Sequence, residues 1–202
     1  MTGAPAIAAV VLAAGRSTRA GKINKLTADI AGTPMVTRVV DTVLASSAHP
    51  VIVVTGHEQD AVRVALADRA VSFVSNPDYA DGIATSIAAG IRAVPPHCDG
   101  ALICLGDMPA LRADDISRLI AAFDAEQSPI CVPFAGTRRG NPALFARAFF
   151  AELAAGQGDT GARTVMAAHG DMVRDVRITG EGPLTDLDTA ADIAAFSAKP
   201  IH

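Results

Sequence analysis

The sequence predicts an α/β fold in which one doubly wound, mostly parallel sheet is flanked by helices. Three observations lead to this prediction. Short apolar runs alternate with stretches of helical periodicity along the 202 residues, and such alternation produces right-handed βαβ units. The runs at residues 8–12 and 101–105 are apolar on both faces, as strands inside a parallel sheet are. Half of the residues are hydrophobic but only 4% are aromatic, so aliphatic side chains must fill the core.

Six short β-branched or apolar runs are the candidate strands, at residues 8–12, 51–55, 71–74, 101–105, 130–133 and 172–176. The candidate helices have apolar stripes or helix-starting residues, at residues 35–45, 59–66, 83–93, 114–124, 142–154, 161–168 and 189–196. Residues 136–163 are rich in Gly and Arg and weak in strand signal, so we expect an active-site loop region there. No repeat or long linker divides the chain, and we expect residues 1–202 to form a single domain.

Charge, cysteine content and the first apolar run exclude several classes of protein. The formal net charge is −4 and no run of Lys and Arg is present, whereas nucleic-acid binding needs a basic face, so we expect no nucleic-acid partner. The three cysteines form no CxxC pair, which argues against disulfides and structural zinc. Residues 7–14 are apolar but too few to span a bilayer, and no basic residue precedes them. We therefore expect a cytoplasmic protein without a membrane partner.

A cationic loop follows the first predicted strand directly. Residues 12–25 combine small residues with four cations, which are Arg16, Arg19, Lys22 and Lys25. Exposed backbone N–H groups beside cations are what a triphosphate requires. The loop matches neither GxxxxGK[ST] nor GxGxxG, which disfavours P-loop hydrolysis and dinucleotide binding. The alternative interpretation is a solvent-exposed loop whose cations only increase solubility.

Carboxylates at two distant places are candidate metal ligands. Asp107 comes just after the apolar run 101–105, at the carboxyl end of a predicted central strand, where it can coordinate Mg²⁺. Gly106 and Pro109 also suit an ordinary turn. Asp186 and Asp188 alternate, so an extended segment would turn both to one side and supply a second ligand. Equally, Asp188 or the residue after it can cap the last helix.

Polar residues elsewhere are candidates for binding the organic parts of the ligands. Arg138, Arg139 and Arg163 can hold an anionic acceptor, and Gly140 and Asn141 add backbone and amide donors. Asn141 before a proline also suits a plain helix start. The segment 75–86 offers polar groups for a base or a ribose, namely Asn76, Thr85 and Ser86. An Asx turn and a helix N-cap explain these residues as well.

Together these segments resemble the MobA-like NTP transferases, and most closely the molybdenum cofactor cytidylyltransferases. The opening pattern of that family, LAAGxSxRMGxxK, is matched from Leu12 to Gly21, with Ala20 in place of Met, and Lys25 follows Gly21 with one more residue between them than the pattern has. Further similar segments are residues 25–26, 32–40, 76–82, 106–109, 139–142 and 186–189, so the resemblance spans nearly the whole chain. Ala14 before Gly15 is similar to the cytidylyl branch, whereas the guanylyl branch tends to have a second Gly there.

The resemblance implies a Rossmann-like nucleotidyltransferase fold and a role for each matching residue. The nucleotide would be held by backbone contacts of Leu12, Ala13, Ala14 and Gly15. Arg19 and Lys25 would bind the triphosphate and act in catalysis together with Asp107. Asp107 would hold Mg²⁺, with Asp188 as its second protein ligand. The acceptor side would be lined by Arg139, Gly140 and Asn141.

The reaction that the resemblance implies is a transfer of CMP from CTP to the phosphate of molybdopterin, with release of pyrophosphate. A molybdoenzyme delivery chaperone is the protein partner that it implies. A phosphate monoester is already largely ionised at neutral pH, so the transfer needs no general base. This agrees with the lack of a Ser/His/Asp arrangement in the sequence.

Other interpretations change the substrates or the class of protein. A guanylyltransferase, or another NTP transferase that acts on a sugar or polyol phosphate, would keep the reaction. A non-catalytic protein that binds a nucleotide or cofactor would not need the paired acids Asp107 and Asp188. A flavodoxin-like oxidoreductase or regulatory domain is disfavoured, because no flavin-specific or redox motif is present.

Overall fold

The computed structural model of the protein describes residues 4–16 and 24–198. The described strands are β1 (Ile7–Ala13), β2 (Asp29–Ile30), β3 (Thr33–Pro34), β4 (Val51–Thr55), β5 (Ser72–Ser75), β6 (Gly100–Leu105), β7 (Ile130–Ala135), β8 (Arg138–Arg139), β9 (Ala143–Ala146) and β10 (Val173–Arg177). The described α-helices are α1 (Met35–Leu44), α2 (Gln59–Ala65), α3 (Ile83–Arg92), α4 (Ala113–Ala122), α5 (Phe150–Ala155), α6 (Arg163–Ala168) and α7 (Ala190–Ser197). No helix in these two stretches of chain is both long and apolar enough to cross a membrane.

Eight of the described strands form one sheet, in the order β10-β7-β9-β6-β1-β4-β5 with β8 paired to β7. The pairs of β1 with β4, β1 with β6, β4 with β5, and β7 with β10 are parallel. Both pairs made by β9, and the pair of β7 with β8, are antiparallel. The prediction of a mostly parallel, helix-flanked sheet is therefore confirmed. The short strands β2 and β3 form a separate antiparallel pair.

The core lies around the two central strands. Every residue of β1 is buried, and so are the first five residues of β6. Helices α1 and α3 both pack against β1, and α3 also packs on α5. Because β1 and β6 are parallel neighbours, their carboxyl ends lie side by side at one edge of the sheet. Ligands bind beyond that edge in folds of this kind.

The predicted helix at residues 142–154 is wrong in its first half, and the loop region expected at 136–163 is only partly a loop. Residues Ala143–Ala146 form β9, which lies between β6 and β7. All four side chains of this strand are buried, so hydrogen bonding to two neighbouring strands outweighs the helix propensity of Ala and Leu. The helix begins only at Phe150.

Candidate active site

Three charged side chains from distant parts of the chain meet at the carboxyl ends of β1 and β6. The Nζ of Lys25 lies 2.6 Å from Oδ2 of Asp107 and 2.7 Å from Oδ1 of Asp188. Their side chains are 14%, 16% and 32% exposed, respectively. This is the arrangement expected from the sequence, in which the cationic loop and the two acids share one edge of the sheet.

Backbone contacts bring the three residues to this edge. Asp107 follows Gly106, whose N–H donates to the carbonyl of Leu12 at 3.0 Å and so joins the ends of β6 and β1. A Cβ on Gly106 would lie 2.9 Å from that carbonyl, which explains why glycine is needed there. Lys25 begins a short 3₁₀ helix that Asn24 caps by accepting from the N–H of the second residue.

Asp188 is positioned by its buried neighbour. Leu187 donates its N–H to the carbonyl of Asp107 at 3.1 Å, and its side chain packs with Ile30 and Met35. Asp186, two residues earlier, is exposed and lines neither of the two cavities described below. The alternation in sequence therefore does not turn both acids to one side, because no regular strand forms there.

The cluster combines a protonated amine with a buried carboxylate oxygen that has no hydrogen-bond partner in the described residues. Burial by itself lowers the pKa of Lys25, but attraction and hydrogen bonds from Asp107 and Asp188 outweigh it and raise the pKa, so the amine stays protonated. Among the described residues, the ammonium of Lys25 contacts both carboxylates. The Oδ1 atom of Asp107 is buried and accepts no hydrogen bond from the described residues. A buried, unpaired carboxylate oxygen fits a metal ligand.

The described residues supply no group of three or more His, Cys, Asp or Glu side chains that would enclose a metal. The cluster thus offers two carboxylates, those of Asp107 and Asp188, that could hold a metal. Mg²⁺ is commonly bound in this way, by one or two carboxylates with substrate phosphates completing its coordination. The cluster fits a metal that arrives with, or is completed by, a phosphorylated ligand.

A first cavity of about 410 Å³ opens beside the cluster. Its walls come from the end of β1, the start of α3 and the charged cluster, and they include Leu12, Ala14, Gly15, Arg16, Lys25, Tyr79, Gly82, Ile83, Ser86, Asp107, Asp159 and Asp188. Ala13 is fully buried and its side chain belongs to the core. Arg19 and Lys22, two of the cations noted in the loop, lie outside the described residues.

Two residues of this cavity, Tyr79 and Asp159, are not among the candidate site residues that the sequence indicates. Tyr79 is the only tyrosine of the chain, and its ring lies 5.9 Å from that of His57 at the cavity wall. Asp159 lies in an exposed loop that has ordinary turn composition. Only the fold, which brings these loops against the end of β1, marks them as site residues.

Asn76, Thr85 and Ser86 form a hydrogen-bonded network of which only Ser86 reaches the cavity. The N–H of Asp78 donates to Oδ1 of Asn76 at 3.0 Å, which orients the amide. Its Nδ2 then donates to the hydroxyls of Thr85 and Ser86, both at 2.9 Å. The hydroxyl hydrogen of Ser86 meets no acceptor among the described residues, so it can be donated to a ligand. Asn76 and Thr85 lie behind it and support it.

A second cavity of about 440 Å³ adjoins the first and shares Leu12, Ile83, Leu105 and Asp159 with it. It contains the three predicted acceptor-side residues Arg139, Gly140 and Asn141. The guanidinium of Arg139 is held by Asp175 on β10, with Nε 2.6 Å from Oδ1 and Nη2 3.4 Å from Oδ2. A Cβ on Gly140 would collide with the carbonyl of Pro183, so glycine is required at this wall.

Comparison with known sequences identifies relatives for most of the chain. A family model described as the MobA-like NTP transferase domain matches residues 9–173. The bifunctional protein GlmU of Syntrophotalea carbinolica is 34% identical over 127 residues. This alignment covers 62% of the present chain and 27% of GlmU, so the chain spans about a quarter of that relative's length.

Solved structures share the fold over nearly their whole length. Rv0371c from Mycobacterium tuberculosis has a TM-score of 0.85 at 29% identity, covering 97% of this chain and 100% of that one. A complex of Rv0371c with manganese has a TM-score of 0.81 at 28% identity, covering 95% and 97%. A nucleotidyl transferase from Methanothermobacter has a TM-score of 0.84 at 24% identity, covering 95% and 96%, a likeness that establishes the fold.

Proposed function

Because the chain belongs to the MobA-like NTP transferase family, we propose that it transfers CMP from CTP to the phosphate of molybdopterin. Pyrophosphate is released, and Mg²⁺ is the cofactor. The observation that carries this proposal is the meeting of Lys25, Asp107 and Asp188 beside a cavity that adjoins a second one. One cavity takes the nucleotide and the other takes the acceptor, so that both phosphates reach the charged cluster.

The metal site consists of Asp107 and Asp188, since the unpaired Oδ1 of Asp107 fits a ligand. Bound Mg²⁺ would supply positive charge that stabilises the phosphate oxygens while the acceptor phosphate replaces pyrophosphate at the α-phosphorus. The complex of Rv0371c with manganese supports the proposal that the present chain also binds a divalent metal. We propose Mg²⁺ rather than manganese because carboxylate ligands and phosphates are its usual partners in proteins.

Lys25 supplies the second positive charge. Its ammonium lies against the two carboxylates, and the raised pKa keeps it charged throughout the neutral range. When a triphosphate enters the first cavity, this ammonium is within reach of the phosphate chain and stabilises the departing pyrophosphate. The attacking phosphate of the acceptor is already ionised. Positioning and charge stabilisation therefore carry the reaction.

The first cavity suits a pyrimidine nucleotide. Ala14 and Gly15 line it beside β1, and the methyl group of Ala14 leaves less room than a second glycine would. Ser86, oriented by Asn76, donates its hydroxyl hydrogen to an acceptor on the base, such as O2 or N3 of cytosine. Arg16 at the exposed rim adds a charge for the triphosphate. Of these features, the methyl group of Ala14 is the one that favours CTP over GTP.

A panel of nucleotides tests the donor. CTP, GTP, UTP and ATP are each added with Mg²⁺, and the melting temperature is measured, because a ligand that binds the native state raises it. CTP is expected to give the largest increase. A larger increase with GTP would contradict the assignment of the base while leaving nucleotidyl transfer in place.

The acceptor is tested by incubating the protein with molybdopterin, CTP and Mg²⁺ and measuring the product by mass spectrometry. We expect a product heavier by one CMP unit, together with pyrophosphate. Sugar and polyol phosphates are offered in parallel reactions. A CMP adduct with one of these and none with molybdopterin would contradict the proposed acceptor.

A further inference from the structure

The second cavity contains two arginines, of which one is ion-paired and the other is not. Arg139 is ion-paired with Asp175 on the edge strand β10. Arg163, the first residue of α6, is exposed and lines the cavity. Within the parts of the chain that the structure describes, no ion pair involves Arg163. Asp159 also lines the cavity, but it forms no ion pair with Arg163. Of the two arginines, Arg163 is therefore the one whose guanidinium is not ion-paired within the described residues.

Part of the wall of the second cavity is apolar. This part includes Ile87 and Ile103, which are 2% and 4% exposed in the folded chain, together with Leu105 and Met166. Against these side chains a polyhydroxylated ligand would lose hydrogen bonds to water. An aromatic or other apolar surface would instead gain from burial.

The loop before Arg163 is tied to the helix that carries Ser86. The carbonyl of Gly158 accepts from the N–H of Ala84 in α3 at 3.1 Å. Gly161, with a φ of +56°, packs on Ile83 of the same helix. The N–H of Arg163 donates to the carbonyl of Thr160 at 3.2 Å. Arg163 is thus placed relative to the nucleotide cavity by direct contacts, as a recognition residue must be.

We propose that Arg163, and not Arg139, holds an anionic group of the acceptor, and that the acceptor turns an aromatic or otherwise apolar body to the cavity wall. The inference rests on the proposed function for the identity of this cavity as the acceptor site. Arg163 lines only the second cavity, whereas Asp107 and Asp188 line only the first. The anionic group at Arg163 therefore lies on the part of the acceptor remote from the acid pair.

A probe with the same chemistry tests the inference without nucleotide, metal or turnover. The aromatic sulfonate 8-anilinonaphthalene-1-sulfonate combines an apolar body with one anion, and its fluorescence rises in apolar surroundings. It is titrated into the wild type, Arg163→Met and the matched control Arg139→Met. We expect Arg163→Met to weaken binding about tenfold, equivalent to about 1.4 kcal/mol, and Arg139→Met to change it less than about twofold.

Two further variants separate charge from shape. Arg163→Lys keeps the charge and should retain most of the affinity for the probe. Met166→Glu adds a carboxylate to the same wall and should weaken binding, because the probe is an anion. Unchanged binding by Arg163→Met, or an equal loss in Arg139→Met, would overturn the inference. Melting temperatures near that of the wild type verify that each variant is folded.

Kinetics distinguish this inference from the proposed function. With molybdopterin and CTP as substrates, Arg163→Met should raise KM for molybdopterin while KM for CTP and kcat stay near the wild-type values. If no CMP transfer to molybdopterin occurs in the wild type, the proposed function fails and the probe titration still decides the role of Arg163. If transfer occurs and Arg163→Met leaves KM for molybdopterin unchanged, the inference alone fails.

Discussion

Replacing Lys25 by Met should destabilise the metal-free protein and make it more responsive to metal. Methionine keeps the length and the apolar stem of the side chain but removes the ammonium that lies 2.6 and 2.7 Å from two carboxylates. Removing one partner of a buried ion pair costs about 3–5 kcal/mol, whereas an exposed pair contributes about 1 kcal/mol or less. The three side chains are 14–32% exposed.

The loss should therefore fall between these limits, at about 2 kcal/mol. For a protein of this size that corresponds to a decrease of about 4–8 °C in melting temperature. The assay is thermal unfolding in EDTA, followed by titration with Mg²⁺ or Mn²⁺. Because Asp107 and Asp188 then no longer contact the ammonium of Lys25, metal should raise the melting temperature of the variant more than that of the wild type.

A matched control uses an ion pair at the surface. Arg69 pairs with Asp41 at 3.0 Å, with side chains that are 30% and 47% exposed, and Arg69→Met should change the melting temperature less than Lys25→Met does. The reasoning is refuted if Lys25→Met melts within about 1 °C of the wild type in EDTA. A smaller response to metal in Lys25→Met than in the wild type would refute it as well.

The remaining predictions concern Ser86 in the first cavity, a glycine with a positive φ, and a buried thiol. Ser86→Ala should raise KM for CTP about tenfold, as expected for one lost hydrogen bond, and kcat should change little; an unchanged KM would remove Ser86 from the site. Gly82→Ala should lower the free energy of unfolding by about 1–3 kcal/mol, because its φ is +109° and a Cβ would collide with Gly158. Gly170→Ala, which has open space around it, is the control, and equal losses in denaturant titrations would contradict this reason. Burial raises the pKa of Cys131 to about 11, so its thiol should react with Ellman's reagent at pH 8 only after unfolding, and fast reaction in the native state would contradict the burial.

The parallel strands of the sheet can be predicted from local sequence patterns, whereas the antiparallel strand β9 cannot. The runs that become β1 and β6 are apolar on both faces, which is sufficient to place them at the centre of a parallel sheet. The residues of β9 are compatible with either a helix or a strand, and they become a strand because β6 and β7 leave a gap between them. That gap is a property of the tertiary structure, so no window of sequence contains it.

In the candidate site, too, some residues can be predicted from the sequence and others depend on tertiary contacts. Asp107 and the cationic loop are predicted together, because both follow strands whose carboxyl ends share an edge. The sequence does not separate Asp188 from Asp186, since the choice depends on the contact of Leu187 with a second apolar cluster. It likewise suggests Arg139 for the acceptor, whereas the pairing of that guanidinium with Asp175 depends on β10 lying beside β7.

The measurement that tests the central claim most directly follows the α-phosphorus of CTP. With CTP labelled at that position, molybdopterin and Mg²⁺, label should pass into the molybdopterin product at the rate at which unlabelled pyrophosphate appears. Asp188→Asn should lose this transfer, while Asp186→Asn, in the same segment but exposed and outside both cavities, should keep it. Formation of labelled CDP with inorganic phosphate, or equal transfer by the two variants, would contradict the account.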